Sequence, residues 1–407
     1  MALNVTAEAE DNYNKEMNGE LTVELLDTML MTPGPVHLDS EVLLAGARPL
    51  RHHRTNDFAP TYRECVDLLK KFFGTTQHLY LTTSSGTGGM ETAIANLFNE
   101  GETVLTVQTG VFGVRFTQIC EAFRLKPVVL KCDDGKAVTV EQIAEALKKY
   151  PEISGITVTF NETSTGICND IKAIGEFLKD KGKILIVDGV SGLGALPFKM
   201  DDWHVDVTVS ASQKGFLAPP GVGMVALSDK AWKKVETVKC HGYYFDLKLY
   251  KRDQEQAIPA YPWTPAINVM FSLLEALRKI DRIGLDNCIK HYAKLAGGLR
   301  AALKALGLKL FTEEKATSNV LTVFYAPEGI APKDIVAEMR NKYGILIAGG
   351  QEQFAATLLR ITTIGAIGER DLLGTIALLE MTLKKKGYLK QTGAGVNAMM
   401  EFFLKNE

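Results

Sequence analysis

Between His78 and Leu227 short apolar runs alternate with stretches whose apolar residues recur at helical spacing. His78–Thr82, Thr103–Thr106, Pro127–Lys131, Gly155–Phe160, Ile184–Val187 and Val205–Val209 read as strands. Gly223–Leu227 reads as one more, expected to run antiparallel at that point. Helices are predicted over Gly88–Phe98, Val114–Ala122, Val140–Lys149 and Ile171–Lys179. Apolar runs this short and continuous mark strands buried on both faces, and their alternation with amphipathic helices predicts a parallel, doubly wound α/β sheet. Upstream, Met1–Glu20 reads as a flexible arm, Leu21–Leu30 as a short helix, and Tyr62–Phe73 as a helix stopped at Gly74. Met31-Thr32-Pro33-Gly34-Pro35-Val36 is too rich in Pro and Gly for either regular element and reads as an extended crossing.

Downstream, Phe271–Ile280 is an apolar-faced helix that leads into a second unit. His291–Leu306, Pro332–Tyr343 and Glu369–Lys384 as helices, with Val320–Tyr325 and Leu358–Thr363 as strands, make that unit a smaller α+β domain. The expected division is an arm over 1–30, a large domain over 31–285, a small domain over 286–385 and an extension over 386–407.

The chain has 407 residues, 46% hydrophobic and 23% charged, an ordinary globular mixture with length for two domains. A formal net charge of -2 gives no support for a nucleic-acid or acidic-membrane partner. Cys65, Cys120, Cys132, Cys168, Cys240 and Cys288 are scattered, so neither a metal site nor a disulfide framework is signalled, and a reducing cytoplasm suits them. The N-terminus lacks the basic and apolar regions of a signal peptide, and no apolar run approaches a membrane span.

Candidate chemistry sits at the ends of the predicted strands. Asp188 follows the apolar run Ile184–Val187, and ligands of open α/β sheets bind outside those carboxyl ends. A carboxylate there is costly without a cation or several donors; capping the turn through Gly189 and Ser191 is the plainer use. Lys214 stands past Val205–Val209 on a loop stiffened by Pro219 and Pro220, where an amine can meet a bound carbonyl compound. A solvated loop lysine is the commoner fate of one lysine, and Asp188 is what raises Lys214 above it.

Thr83-Ser84-Ser85-Gly86-Thr87-Gly88-Gly89 opens a helix straight after a strand, so its N–H groups, with the Ser85 and Thr87 hydroxyls, can cradle a phosphate. It is neither a P-loop nor the dinucleotide fingerprint, since no Gly-Lys-Ser/Thr follows and Glu91 replaces the third glycine. Gly221-Val222-Gly223-Met224-Val225-Ala226 matches Gly-x-Gly-x-x-Ala, but opens a strand and reads as chance. Phe112 between Gly110 and Gly113 can lie against a planar ligand, or fill the core. Arg360 interrupts an apolar strand and needs a carboxylate partner, internal or from a substrate. One ligand accounts for all of these: a planar, phosphorylated pyridine aldehyde, pyridoxal 5′-phosphate.

Thr32-Pro33-Gly34-Pro35, His53-Arg54-Thr55, Ser85-Gly86-Thr87, Glu162-Thr163-Ser164-Thr165-Gly166, Val187-Asp188, Ser212-Gln213-Lys214 and Leu359-Arg360-Ile361, in this order, resemble the class V aminotransferases. The alanine–glyoxylate / serine–pyruvate branch is the most similar, and the likeness covers Met31 to about Lys385. The resemblance implies a fold-type I pyridoxal-phosphate transferase: α/β, a mostly parallel sheet of seven-stranded type in the large domain, and a smaller α+β C-terminal domain. It implies that Lys214 carries the cofactor as a Schiff base and later moves the proton, and that Asp188 pairs with the ring nitrogen. Phe112 stacks on the ring, Thr163 lies near the ring hydroxyl, and Ser85, Gly86, Thr87 and Gln213 hold the phosphate. Arg360 binds the substrate carboxylate, with Gly34 lining the same end. Tyr261 and Thr264 match a pair that reaches the phosphate of the neighbouring subunit, so a homodimer with shared sites is implied. The expected reaction is a ping-pong transamination between a small L-amino acid (alanine, serine or aspartate) and glyoxylate or pyruvate. Departures lie at Asn56-Asp57-Phe58, in the arm before Leu21, and in Leu389–Glu407.

A cysteine desulfurase or lyase of the same class is the nearest rival, but Gln213 stands where desulfurases carry His, and the late Cys288 falls inside a predicted helix. A nicotinamide-dependent oxidoreductase lacks its fingerprint. A non-catalytic binding protein has no use for the Lys214–Asp188 pair.

Overall fold

Seven strands form the central sheet: β1 (His78–Thr82), β2 (Thr103–Gln108), β3 (Lys126–Lys131), β4 (Ile153–Thr159), β5 (Ile184–Asp188), β6 (Val207–Ala211) and β7 (Gly223–Leu227). Their order across the sheet is β1-β7-β6-β5-β4-β2-β3. All neighbours are parallel except β7, which runs antiparallel to both β1 and β6, as its sequence led us to expect. β5, β6 and β7 are buried at every position, which is why they read as unbroken apolar or small-residue runs. β3 is an edge strand; it tolerates Pro127, and Lys126 and Lys131 keep its ends in water.

The computed structural model describes residues 28–240 and 242–406. The expected Met1–Glu20 arm and residues 21–27 of the expected Leu21–Leu30 helix lie outside them. Met29–Leu30 is not helical: it pairs in parallel with Ile345–Leu346. Thr32–Val36 is irregular, as its Pro and Gly content predicts.

Two apolar cores form. The larger packs the central sheet against its helices, with Leu81, Val104, Ile156, Ile186 and Met224 inside. The second surrounds Leu295, Leu299 and Leu303 of the Leu285–Ala305 helix, with Phe324, Leu359, Ile361 and Leu379. Its antiparallel sheet is Leu321–Tyr325, Leu358–Thr362 and Ala348–Gly349, with Leu358–Thr362 in the middle. Met31 packs into this second core although it lies far upstream.

Four helices were not anticipated: Ser40–Gly46, Asp229–Thr237, Leu247–Gln254 and Ala394–Lys405. The first three are short or charge-rich and bury only two or three side chains each, too few for a visible period. The last turns the expected extension into part of the second core. Met399 and Phe403 are buried there, and the buried Glu380 carboxylate accepts from Val396 N at 2.9 Å and from Gly393 N. Five helices begin earlier than their patterns indicated, Ala59–Phe73, Ile267–Ile283, Leu285–Ala305, and the Gly86–Leu97 and Val111–Ala122 helices at the strand ends. The last two shifts matter for the site, because they put Gly86, Thr87 and Phe112 into first helical turns.

Candidate active site

The carboxyl ends of the parallel strands gather the chemistry-bearing residues. Ser85–Thr87 follow β1, Gly110–Phe112 follow β2, Glu162–Ser164 follow β4, Asp188 ends β5, and Gln213–Lys214 follow β6. Such ends are where open α/β sheets bind ligands.

Lys214 is largely buried and donates from Nζ to Pro33 O at 2.8 Å. Gly34 sits against it with φ +136, and a Cβ there would overlap the lysine side chain. Only glycine leaves the Lys214 side chain its room, which gives Gly34 a steric role. Burial lowers Lys214 from its ordinary 10.5 to about 8; Arg360 and Arg115 push the same way, and Asp188 opposes them.

Asp188 is 3% exposed. Its Oδ1 accepts from Val190 N at 2.9 Å, so the turn-capping use is real, but Oδ2 has no protein donor among the described residues. Burial raises the carboxyl to about 7, with Glu162 adding to the rise and Lys214 and Arg115 opposing it. A cationic ring nitrogen against Oδ2 would draw it back down.

The Gly86–Leu97 helix starts at Ser85, whose side chain makes no capping bond. The N–H groups of Gly86, Thr87 and Gly88 are first-turn donors with no partner inside the helix. Gln213 Oε1 is buried without a hydrogen-bond partner. Phe112 is half-buried, not a core residue, and the Arg115 guanidinium carbon lies 4.7 Å from its ring centroid. A buried amine, a carboxylate with one open oxygen, unpaired first-turn donors and an accessible aromatic ring fit pyridoxal 5′-phosphate.

At the other end, Arg360 is buried in the middle of its strand. Nε donates to Gly349 O at 2.8 Å, and Nη1 to Thr163 O at 2.9 Å and Gln351 Oε1 at 3.3 Å. These partners are carbonyls; no carboxylate pairs with Arg360 among the described residues. Burial lowers its guanidinium to about 10, against the opposing field of Glu162. Thr163 therefore meets Arg360 through its backbone.

Tyr261 and Thr264 make no hydrogen bond to this cluster. Tyr261 is buried, edge-on to Tyr62, with its hydroxyl donating to Met270 Sδ at 3.7 Å. Thr264 is exposed.

Two residues escaped the sequence reading. Glu162 appeared there only as part of a motif. Its fully buried carboxylate accepts from Phe112 N (3.0 Å) and Gly113 N (3.2 Å) on Oε2, and from Ser164 N (3.1 Å) and Ser164 Oγ (2.6 Å) on Oε1. It faces the N-terminus of the Val111–Ala122 helix, and a Cβ on Gly110 would crowd Glu162 Cδ at 2.6 Å. Arg115 was hidden inside a helical pattern; its spacing of three from Phe112 was the available signal. Cys288 lies buried in the Leu285–Ala305 helix with its thiol pushed up by burial, unlike a reactive loop cysteine. Gly221–Ala226 leads into β7, with no helix at that turn, so the dinucleotide match is chance.

Residues 43–365 match the family model described as Aminotransferase class-V. An uncharacterized aminotransferase of Methanocaldococcus jannaschii is 38% identical over 386 residues, covering 95% of this chain and 100% of its own length. An L-aspartate–glyoxylate aminotransferase of Paracoccus denitrificans is 34% identical, covering 92% and 96%. The crystal structure of an alanine–glyoxylate aminotransferase from Nostoc superposes with a TM-score of 0.85 at 28% identity, covering 89% of this chain and 97% of that one. On these matches and this site, the chain belongs to the class V aminotransferases and is a fold-type I aminotransferase dependent on pyridoxal 5′-phosphate.

Proposed function

We propose that the enzyme moves an amino group from a small L-amino acid (alanine, serine or aspartate) to glyoxylate or pyruvate in a ping-pong cycle. The observation that carries this reading is Arg360, a buried guanidinium held by carbonyls alone and close enough to act on Lys214 electrostatically. It suits one substrate carboxylate placed beside the amine. Pyridoxal 5′-phosphate supplies the electron sink and carries the amino group between the two half-reactions.

The chain's own residues do the rest. Lys214 would hold the cofactor through its aldehyde carbon and, as a free amine, would take the Cα proton on Nζ and return it. Its buried amine, lowered to about 8, is partly neutral at neutral pH and able to act as that base. Asp188 Oδ2, left open by the bond of Oδ1 to Val190 N, would hold the ring nitrogen in its protonated form. Phe112 would support the ring, Thr163 would lie near its hydroxyl, and Ser85, Gly86, Thr87 and Gln213 would hold the phosphate. Gly34 leaves space for the substrate at Lys214.

A 2-oxo dicarboxylate would bury its distal carboxylate without a cation, which costs about 3 kcal/mol or more. Steady-state kcat/KM with a common donor tests this. Glyoxylate should rank first, pyruvate second and 2-oxoglutarate far behind; 2-oxoglutarate at or above glyoxylate overturns the reading.

Aspartate as donor would need a second cation, and any cation that admitted it would admit 2-oxoglutarate too, so the same acceptor ranking decides between aspartate and the smaller donors. Arg54 Nη2 donates to Pro262 O at 3.5 Å, between Tyr261 and Thr264, the pair that the resemblance assigns to a neighbour's site. The reading includes a homodimer in which Tyr261 and Thr264 serve the second site. Leu43, Leu44 and Leu50 are exposed apolar residues on the approach to Arg54 in sequence, which supports burial there against a second copy. Mixing a Lys214→Ala protein with a Tyr261→Phe, Thr264→Ala protein should restore activity in hybrid dimers. The division between 31–285 and 286–385 is part of the reading and draws on the two cores. So is a cytoplasmic location, supported by six unpaired cysteines; no helix among the described residues is long and apolar enough to cross a membrane.

A further inference from the structure

Arg115 has no role in the reading above. It lies one turn beyond Phe112 on the Val111–Ala122 helix, with its guanidinium over the Phe112 ring. Its polar partner is a hydroxyl: Nη1 donates to Thr87 Oγ1 at 3.0 Å. A cation held by a ring face and a hydroxyl keeps its charge uncompensated.

The direction of that bond is decisive. A guanidinium only donates, so Thr87 Oγ1 is the acceptor and the threonine's own hydrogen is left to donate elsewhere. Thr92, one turn on in the same helix, shows the usual alternative: its hydroxyl gives its hydrogen back to Gly88 O at 2.7 Å. Thr87 makes no such bond among the described residues. Its hydroxyl hydrogen is thus available beside first-turn N–H groups, where an anion is favoured.

We propose that Arg115 is a positioning residue that acts through Thr87: it holds the Thr87 hydroxyl as a donor to the cofactor phosphate and lends that end of the site its charge. This rests on the reading that the Ser85–Thr87 turn takes the phosphate. The field of Arg115 also reaches Lys214 and Asp188, where burial is the larger influence.

The test is a double-mutant cycle read as dissociation constants of pyridoxal 5′-phosphate and of pyridoxal, from absorbance titrations of the full chain stripped of cofactor. Arg115→Gln should weaken the phosphate-bearing ligand about tenfold or more, the scale of a lost charged hydrogen bond. It should leave pyridoxal within about twofold, and in a Thr87→Val background its effect should also shrink to about twofold. Equal loss for both ligands means that Arg115 works on the ring through Phe112 and overturns the proposal while leaving the cradle intact. A full loss in the Thr87→Val background overturns it too. Unchanged phosphate-ligand affinity in Thr87→Val alone overturns this proposal, since the hydroxyl then does not reach the phosphate, and it leaves the first-turn N–H groups of the cradle in place. If Arg115→Gln does not fold, Arg115→Lys takes its place: it keeps the charge without the fork, and the same selectivity for the phosphate-bearing ligand is required.

Discussion

Asp188 and Arg360 are both buried charges without an ion-pair partner among the described residues, yet the chain builds them in different ways. Asp188 ends the middle strand of the large sheet, flanked on both sides by parallel neighbours β4 and β6. One backbone N–H fixes it, and everything that holds it belongs to one core. Arg360 sits on the middle strand of the small sheet, and its fork is closed by Gly349 O from that sheet and Thr163 O from the turn after β4. Its aim depends on both cores at once. In the proposed reading the cofactor end is thereby set by one core, and the substrate end by how two cores meet. Changes at the first should appear in the chemical step, and changes at the second in substrate binding.

The largest effect is expected at Lys214, which the comparison takes as the fixed point between the two ends. Lys214→Ala should lower kcat on the order of 10⁴-fold or more, since in the proposed reading it removes both a covalent anchor and a proton carrier. Borohydride treatment of the native protein should place the cofactor label on Lys214 by mass; a label on another lysine breaks the scheme.

Asp188→Asn comes next. It should lower kcat about 10²- to 10³-fold with little change in KM, because the charge it balances develops in the transition state. A KM-dominated defect would erase the distinction between the two ends. The same carboxyl gives a pH signature in the cofactor-stripped chain. Its folded value of about 7 exceeds the ordinary 3.8, so the fold binds a proton that the unfolded chain releases. That contribution to stability is complete below about pH 4 and is lost as pH rises through about 7. Asp188→Asn should flatten the fall of Tm across that window; an unchanged slope would show that another group is responsible.

At the substrate end, Arg360→Gln should lower kcat/KM about 10²-fold, mostly through KM, with the cofactor absorbance unaltered. Arg360→Lys should recover little, because one ammonium cannot satisfy Gly349 O, Thr163 O and a carboxylate together. A defect confined to kcat would place Arg360 on the wrong side of the comparison.

The same contrast explains what could be read beforehand. Asp188, Lys214 and the Ser85–Thr87 turn were legible because each follows a strand with a strong apolar pattern, and strand ends are where chemistry is expected. β1 and β7 and the Val140–Lys149 and Pro332–Tyr343 helices occur over the residues their patterns indicate. The helix starts at Gly86 and Val111 were missed because glycine-rich first turns carry no apolar period. Ala394–Lys405 was missed because its docking depends on Glu380 and on close contact of Gly298 with Phe403, neither local in sequence. Glu162 and Arg115 were missed for a related reason: Phe112 lies 50 residues from Glu162 and Thr87 lies 28 from Arg115, and only the fold brings these pairs together.

Glu162 is also where the two ends are joined, and it gives the smallest and sharpest test. One carboxylate oxygen holds the turn that presents Phe112, and the other holds Ser164. Thr163, between them, offers its carbonyl to Arg360. Replacing Glu162 with Gln keeps the shape but turns an NH₂ toward one pair of donors, whichever way the amide lies. That leaves buried donors unpaired, worth about 1–3 kcal/mol. If this turn transmits alignment, Glu162→Gln should lower kcat/KM about tenfold, with both kcat and KM moving, a mixture that neither Asp188→Asn nor Arg360→Gln produces. Ser164→Ala, which removes the hydroxyl donor to Glu162 and the acceptor of Val111 N but leaves both Glu162 oxygens their backbone donors, should show the same mixture more weakly. If both variants lose thermal stability while kcat and KM stay at their native values, the turn is a structural clamp, and the two ends of the site are aligned by something else.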